Sequence, residues 1–154
     1  MRRAKPGGWY DDFRYRLRFE GEVRHAYPSI HSSRTGKGKT GAIVYTLTVT
    51  VPEFDERRVI RVTLANTRRP WLRLLTADGP TNSPHRYADG HLCMWHPDDG
   101  PDLTWQPDDG LVALVQCARV HLFREAYWRR YGAWPGPEAP HGDGDDGKDE
   151  REAA

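Results

Sequence analysis

The chain has 154 residues, 37 % of them hydrophobic, which suits one compact domain with a modest core. Its 23 basic and 22 acidic residues leave a formal net charge of +1, so no overall field draws in nucleic acid or an anionic membrane. The two cysteines make no disulfide framework, no apolar run approaches the roughly 20 residues of a membrane span, and no signal peptide opens the chain. The reading is a soluble protein of a reducing, cytoplasmic compartment.

Residues 1–8, basic and rich in Gly and Pro, read as a frayed start. From Trp9 onward Phe13, Tyr15, Leu17 and Phe19 alternate with Arg14, Arg16 and Arg18, a period of two that predicts a half-buried strand with a solvated arginine face. His25 to Gly41, rich in Ser, Gly, Lys and Pro, reads as a mobile loop. Gly36-Lys37-Gly38-Lys39-Thr40 lacks the full spacing of a phosphate-binding loop and precedes a strand rather than a helix. Tyr45, Leu47, Val49 and Val51 then alternate with threonines, and Ile60, Val62 and Leu64 alternate with Arg61 and Thr63. The short segment between them, from Glu53 to Glu56, predicts an antiparallel pair. A weaker strand lies over Trp71 to Leu75. The sum is a meander of about four strands with one face to cover.

One strong helix supplies the cover. Pro107 marks its entry, Asp108 and Asp109 offer N-caps, and Leu111, Leu114, Val115, Ala118, Leu122 and Ala126 recur at helical spacing until Gly132 stops it after Tyr131. Cys117 and His121 lie within it as packing residues. Beyond His141 the chain turns to Asp, Gly, Lys and Glu, so residues 142–154 read as a disordered acidic tail behind a single domain of residues 1–141. Strands first and helix last make the fold class α+β.

The chemistry gathers in Ser83 to Pro107, where His85, His91 and His96 all stand within eight residues of Cys93. A cysteine so surrounded is a nucleophile, a metal ligand or a coincidence of composition. The stretch Ser83-Pro84-His85-Arg86-Tyr87-Ala88-Asp89-Gly90-His91-Leu92-Cys93 resembles the active-site segment of ubiquitin-conjugating enzymes. There a His-Pro-Asn motif leads through a Tyr/Gly-containing turn to a cysteine eight residues after the asparagine. His85 takes the asparagine position, Ser83 that of the first histidine, and Trp105-Gln106-Pro107 matches the Trp-x-Pro that precedes a helix in that family. Strands, motif and helix follow the family order over roughly residues 42–131. The family's N-terminal helix and two C-terminal helices have no counterpart in this reading. The shortened plan, and the ending from Tyr131 to His141, are similar to the stand-alone conjugating-enzyme-like proteins of antiphage operons, the short type II CBASS systems.

The resemblance implies a transferase whose Cys93 thiolate forms a thioester with a protein C-terminus and passes it to an amine. The carried protein would be a cGAS-like nucleotidyltransferase or a ubiquitin-like modifier. No cofactor is implied, and any adenylation step belongs to a separate activating enzyme. His91, two residues from the cysteine, is placed to support the thiolate as a cation or hydrogen-bond donor. The His85 ring N–H stands in for the family's asparagine amide as donor to the oxyanion. Tyr87 and a carboxylate such as Asp98, Asp99 or Asp102 are candidates for lysine activation, and Trp105 for shaping the acyl groove as well as packing. His96, ahead of Pro97, reads as a turn residue.

Three other readings compete. His85, His91, Cys93 and His96 are together enough to ligate zinc, though no CxxC, HxE or HExxH spacing is present. The same fold also serves as a catalytically inactive binding module, against which stands a cysteine kept in register. A Cys/His hydrolase needs a separately placed histidine and an orienting group that the sequence does not announce.

Overall fold

The structure, a computed structural model, describes residues 13–36, 41–65, 75–96, 98–100 and 102–136. The expected frayed start, the acidic tail, most of the Gly36–Thr40 segment and residues 71–74 of the weaker strand lie outside them. Among the described residues no helix is long and apolar enough to cross a membrane.

The two alternating runs become the central hairpin of an antiparallel sheet of order β1-β2-β3-β4. Strand β2 (Ala42–Val51) pairs along its whole length with β3 (Glu56–Ala65), bringing Tyr45 opposite Val62 and Leu47 opposite Ile60. Because strand side chains alternate, these pairs fall on one face, where Ile43, Tyr45, Leu47, Val49, Ile60, Val62 and Leu64 are all buried. Pro52 to Asp55 forms the turn, with Glu53 and Asp55 in the left-handed region at φ 67° and 51°. Strand β4 (Leu75–Ala77) closes the other side and sets the buried Leu75 opposite Val62.

Two expectations are corrected. Phe13–Ala26 is a helix, α1, and not a strand. The period of two covers only the arginine-rich start, where Phe13, Tyr15 and Leu17 are exposed. The residues that decide are one helical turn apart. Phe19 and Val23 share the buried stripe, while Arg16–Glu20 and Arg18–Glu22 form ion pairs at i,i+4 with contacts of 3.2 and 3.3 Å. An N-terminal helix is therefore present in a plan expected to lack one. Second, the loop over His25–Gly41 contains strand β1 (His31–Thr35), which pairs with β2 as a fully exposed edge. A short, polar edge strand carries no hydrophobic alternation to read, and it resists further edge pairing.

Helix α2 (Gly110–Tyr131) covers the sheet through Leu111, Leu114, Val115, Ala118, Leu122 and Ala126, the residues expected from the periodicity. A 3-10 turn at Pro107–Asp109 leads into it, and Gly132 ends it in the left-handed conformation at φ 75°, its amide donating to the Trp128 carbonyl. The expected aspartate cap takes a different form. Asp109 caps no helix N–H; its carboxylate accepts the Gln106 amide at 2.8 Å. The helix is clasped to the sheet where Phe123 meets Phe54 of the β2–β3 turn and where Arg119 donates to the Thr50 carbonyl. The α+β class, with helices segregated from a four-stranded meander, stands. Among the described residues no helix follows α2.

Candidate active site

The cysteine sits on a tight hairpin of its own. Leu92 bridges Arg86 in antiparallel fashion, the Cys93 amide donates to the His85 carbonyl at 2.8 Å, and the Tyr87 amide donates to the His91 carbonyl at 2.9 Å. Gly90, at φ 89°, closes the loop by donating to the Tyr87 carbonyl. A three-residue loop ending in a left-handed glycine is a common hairpin solution, and it explains the glycine here. The Leu92 amide donates to the Leu75 carbonyl, which ties the hairpin to the start of β4.

An extended, paired segment sorts its side chains by parity. Arg86 and Leu92 face the interior, their exposures 4 % for the Arg86 side chain and 1 % for Leu92. Tyr87 and His91, which flank that bridged pair, are half-buried, and Cys93 is buried. His85 itself adopts φ 61°, a conformation that disfavours most side chains but in which Asn and His are enriched. That preference gives a backbone reason for histidine at a position where the resemblance puts asparagine.

His91 is held from its own loop. Asp89 accepts the His91 backbone amide at 3.1 Å with Oδ1, and the same oxygen lies 2.9 Å from His91 Nδ1. Cys93 is a thiol in the reduced state and only 7 % exposed.

Behind the hairpin lies a charge cluster that sequence reasoning missed. Arg86 makes a two-pronged contact with Glu125 of α2, Nε to Oε1 at 2.5 Å and Nη2 to Oε2 at 2.9 Å, and its Nη1 donates to the Gly90 carbonyl. His121 Nε2 stands 3.3 Å from Glu125 Oε1, and Arg129 extends the cluster to Glu56. Glu125 is 1 % exposed. Burial alone would raise its pKa, but the hydrogen bonds from Arg86 and His121 outweigh that and hold it at about 2. A signal was available. Glu125 stands on the apolar stripe of α2 beside Leu122 and Ala126, and a carboxylate there requires a buried partner.

The remaining candidates fall elsewhere. Asp99 is engaged in a turn, accepting the His96 amide at 2.9 Å, while the Asp98 amide donates to His96 Nδ1 and the Asp98 side chain is exposed. Neither aspartate belongs to the hairpin. Asp102 is exposed, on the stretch leading to Thr104. Trp105 lies in the core, 4 % exposed, with its indole N–H donating to the Gly110 carbonyl at 2.7 Å, and so braces the start of α2. Cys117 is half-buried in α2, where burial and the Asp109 charge push its thiol up. Among the described residues no three His, Cys, Asp or Glu side chains converge as metal ligands. The geometry offers a thiol, a histidine with a left-handed backbone and a carboxylate-held imidazole on one hairpin.

Comparison with known families gives a match over residues 20–142 to the model described as Type II CBASS E2 protein. The matched span contains the hairpin, the charge cluster and all of α2. No curated protein and no solved structure gave a match.

Proposed function

The chain belongs to the type II CBASS E2 family, and on that premise we propose that it is a thioester-forming transferase with Cys93 as the nucleophile. The Cys93 thiolate attacks the carbonyl of an activated protein C-terminus, a C–S bond forms, and the original leaving group departs. An incoming amine then attacks the thioester carbonyl. The C–S bond breaks, the thiolate leaves and the amine gives up a proton. The protein carried is a cGAS-like nucleotidyltransferase or a ubiquitin-like modifier, supplied in activated form by a separate enzyme.

The observation that carries this reading is the backbone pairing that sets Cys93 against His85 in the hairpin. The Cys93 amide donates to the His85 carbonyl at 2.8 Å, so the backbones that carry the thiol and the imidazole are paired directly. In that setting the His85 ring N–H is the donor for the tetrahedral oxyanion, a role whose loss typically slows an acyl-transfer enzyme by about 10²–10³. His91, steadied by Asp89, assists the proton transfers at sulfur and at the attacking amine. The burial of Cys93, 7 % exposed as a residue, suits approach by an extended C-terminal tail rather than a folded surface.

The test uses a short peptide bearing a C-terminal mercaptoethanesulfonate thioester, which can load the cysteine by exchange without an activating enzyme. Non-reducing electrophoresis and mass spectrometry are expected to find one peptide on the wild-type protein and on Cys117→Ala, removed by thiol, and none on Cys93→Ala. An adduct that survives Cys93→Ala, or that requires Cys117, overturns the assignment.

A further inference from the structure

After Gly132 the chain turns back along α2. The left-handed Gly132 makes the reversal, and Gly136, at φ 114°, comes to rest against Arg124, a residue seven positions before the end of α2 at Tyr131. A Cβ at Gly136 would stand 3.2 Å from the Arg124 guanidinium, so the return path is closely packed. Between these glycines the half-buried Trp134 meets two rings at once. Its indole lies 4.4 Å from the His85 imidazole, centroid to centroid with the planes at 51°, and 5.5 Å from His121 in an edge-on arrangement. His121 contacts Glu125, and Glu125 grips Arg86, the chain neighbour of His85.

His85 is thus fixed from two directions. Its backbone is held through Arg86 and the Cys93 amide, and its ring is held by Trp134. We infer that Trp134 is a positioning residue for acyl transfer, setting the His85 imidazole in the orientation that serves the thioester carbonyl. An aromatic wall at this distance restricts rotation of that ring about its side-chain bonds. The strap from Gly132 to Gly136 then belongs to the active site although it lies some forty residues beyond the cysteine.

This inference rests on the oxyanion role of His85, and the experiment separates the two. Each variant is loaded with the same peptide thioester, and single-turnover discharge onto free lysine is followed across lysine concentrations. Trp134→Ala is expected to lower the saturated discharge rate by about three- to tenfold, the range of one aromatic pair, with the half-saturating lysine concentration unchanged. Trp134→Phe, which keeps a ring against the imidazole, should recover most of that rate. The double variant Trp134→Ala/His85→Ala should discharge no more slowly than His85→Ala. Equal fractional losses from Trp134→Ala in the wild-type and His85→Ala backgrounds would show that the tryptophan does not act through His85. Wild-type discharge by Trp134→Ala would overturn the inference while leaving His85 in place. Wild-type discharge by His85→Ala would overturn both. Should Trp134→Ala lower the melting temperature below the assay range, Trp134→Phe and Trp134→Leu at matched stability decide. Equal rates for these two would reject the need for a ring.

Discussion

At His91 a single carboxylate does two jobs. Asp89 accepts the backbone amide with the same oxygen that stands 2.9 Å from the ring nitrogen. Replacing Asp89 by Asn keeps an oxygen for the amide but removes the negative charge beside the ring. Asp89→Asn is expected to leave the melting temperature within a few degrees of wild type and to slow thioester discharge by about ten- to a hundredfold, at or below the low end of a general acid–base contribution. Single-turnover discharge beside a thermal melt checks this. The candidates at this scale were legible unevenly. Cys93, His85 and His91 stand out by residue type and spacing, whereas Trp134 and Arg86 acquire a role only through neighbours that the sequence keeps far apart.

At the scale of elements, the contact between α1 and α2 turns on one missing side chain. Gly110 begins α2 at φ 84°, and a Cβ there would come 2.7 Å from Phe19 Cδ1. Glycine is required twice over, by backbone and by the close approach of the α1 aromatic. Gly110→Ala should therefore destabilise the protein by about 2–4 kcal/mol through strain and displacement of Phe19. Urea unfolding would register this as a lower midpoint, and an unchanged midpoint would mean that α1 does not dock as described. Tyr45 adds a polar link, its hydroxyl donating to Glu20 at 2.7 Å, with burial and that carboxylate keeping the phenol protonated well above its ordinary range. Helix α1 was misread because its first seven residues alternate perfectly while its turn-to-turn ion pairs extend beyond them. Periodicity over so short a window does not separate helix from strand when charge pairs go uncounted.

Across the whole molecule, the Arg86–Glu125 pair ties the cysteine hairpin to the covering helix over 39 residues of chain. Two charges removed from water gain little over an apolar pair, but removal of one partner strands the other. Glu125→Gln is accordingly expected to cost on the order of 3 kcal/mol at neutral pH. The acid dependence follows from the same pair. Glu125 titrates at about 2 in the folded protein against an ordinary 4.5, so its contribution is complete above pH 4.5 and is lost as the pH falls toward 2. Urea midpoints measured from pH 7 to 2.5 should fall through that window in the wild type. In Glu125→Gln the part of the slope due to this carboxylate should be missing; an identical slope would assign the acid sensitivity to other groups.

Local pattern was enough for β2, β3 and the body and stop of α2, because each depends on residues within a few positions of one another. Tertiary packing alone selected the helix at Phe13–Ala26, the polar edge strand at His31–Thr35, the partner of Glu125 and the approach of Trp134 to His85. The physical division is between short-range periodicity, which a chain displays along its length, and desolvation. A buried charge or ring finds its partner wherever the fold brings it, and no spacing in the chain records that distance in advance.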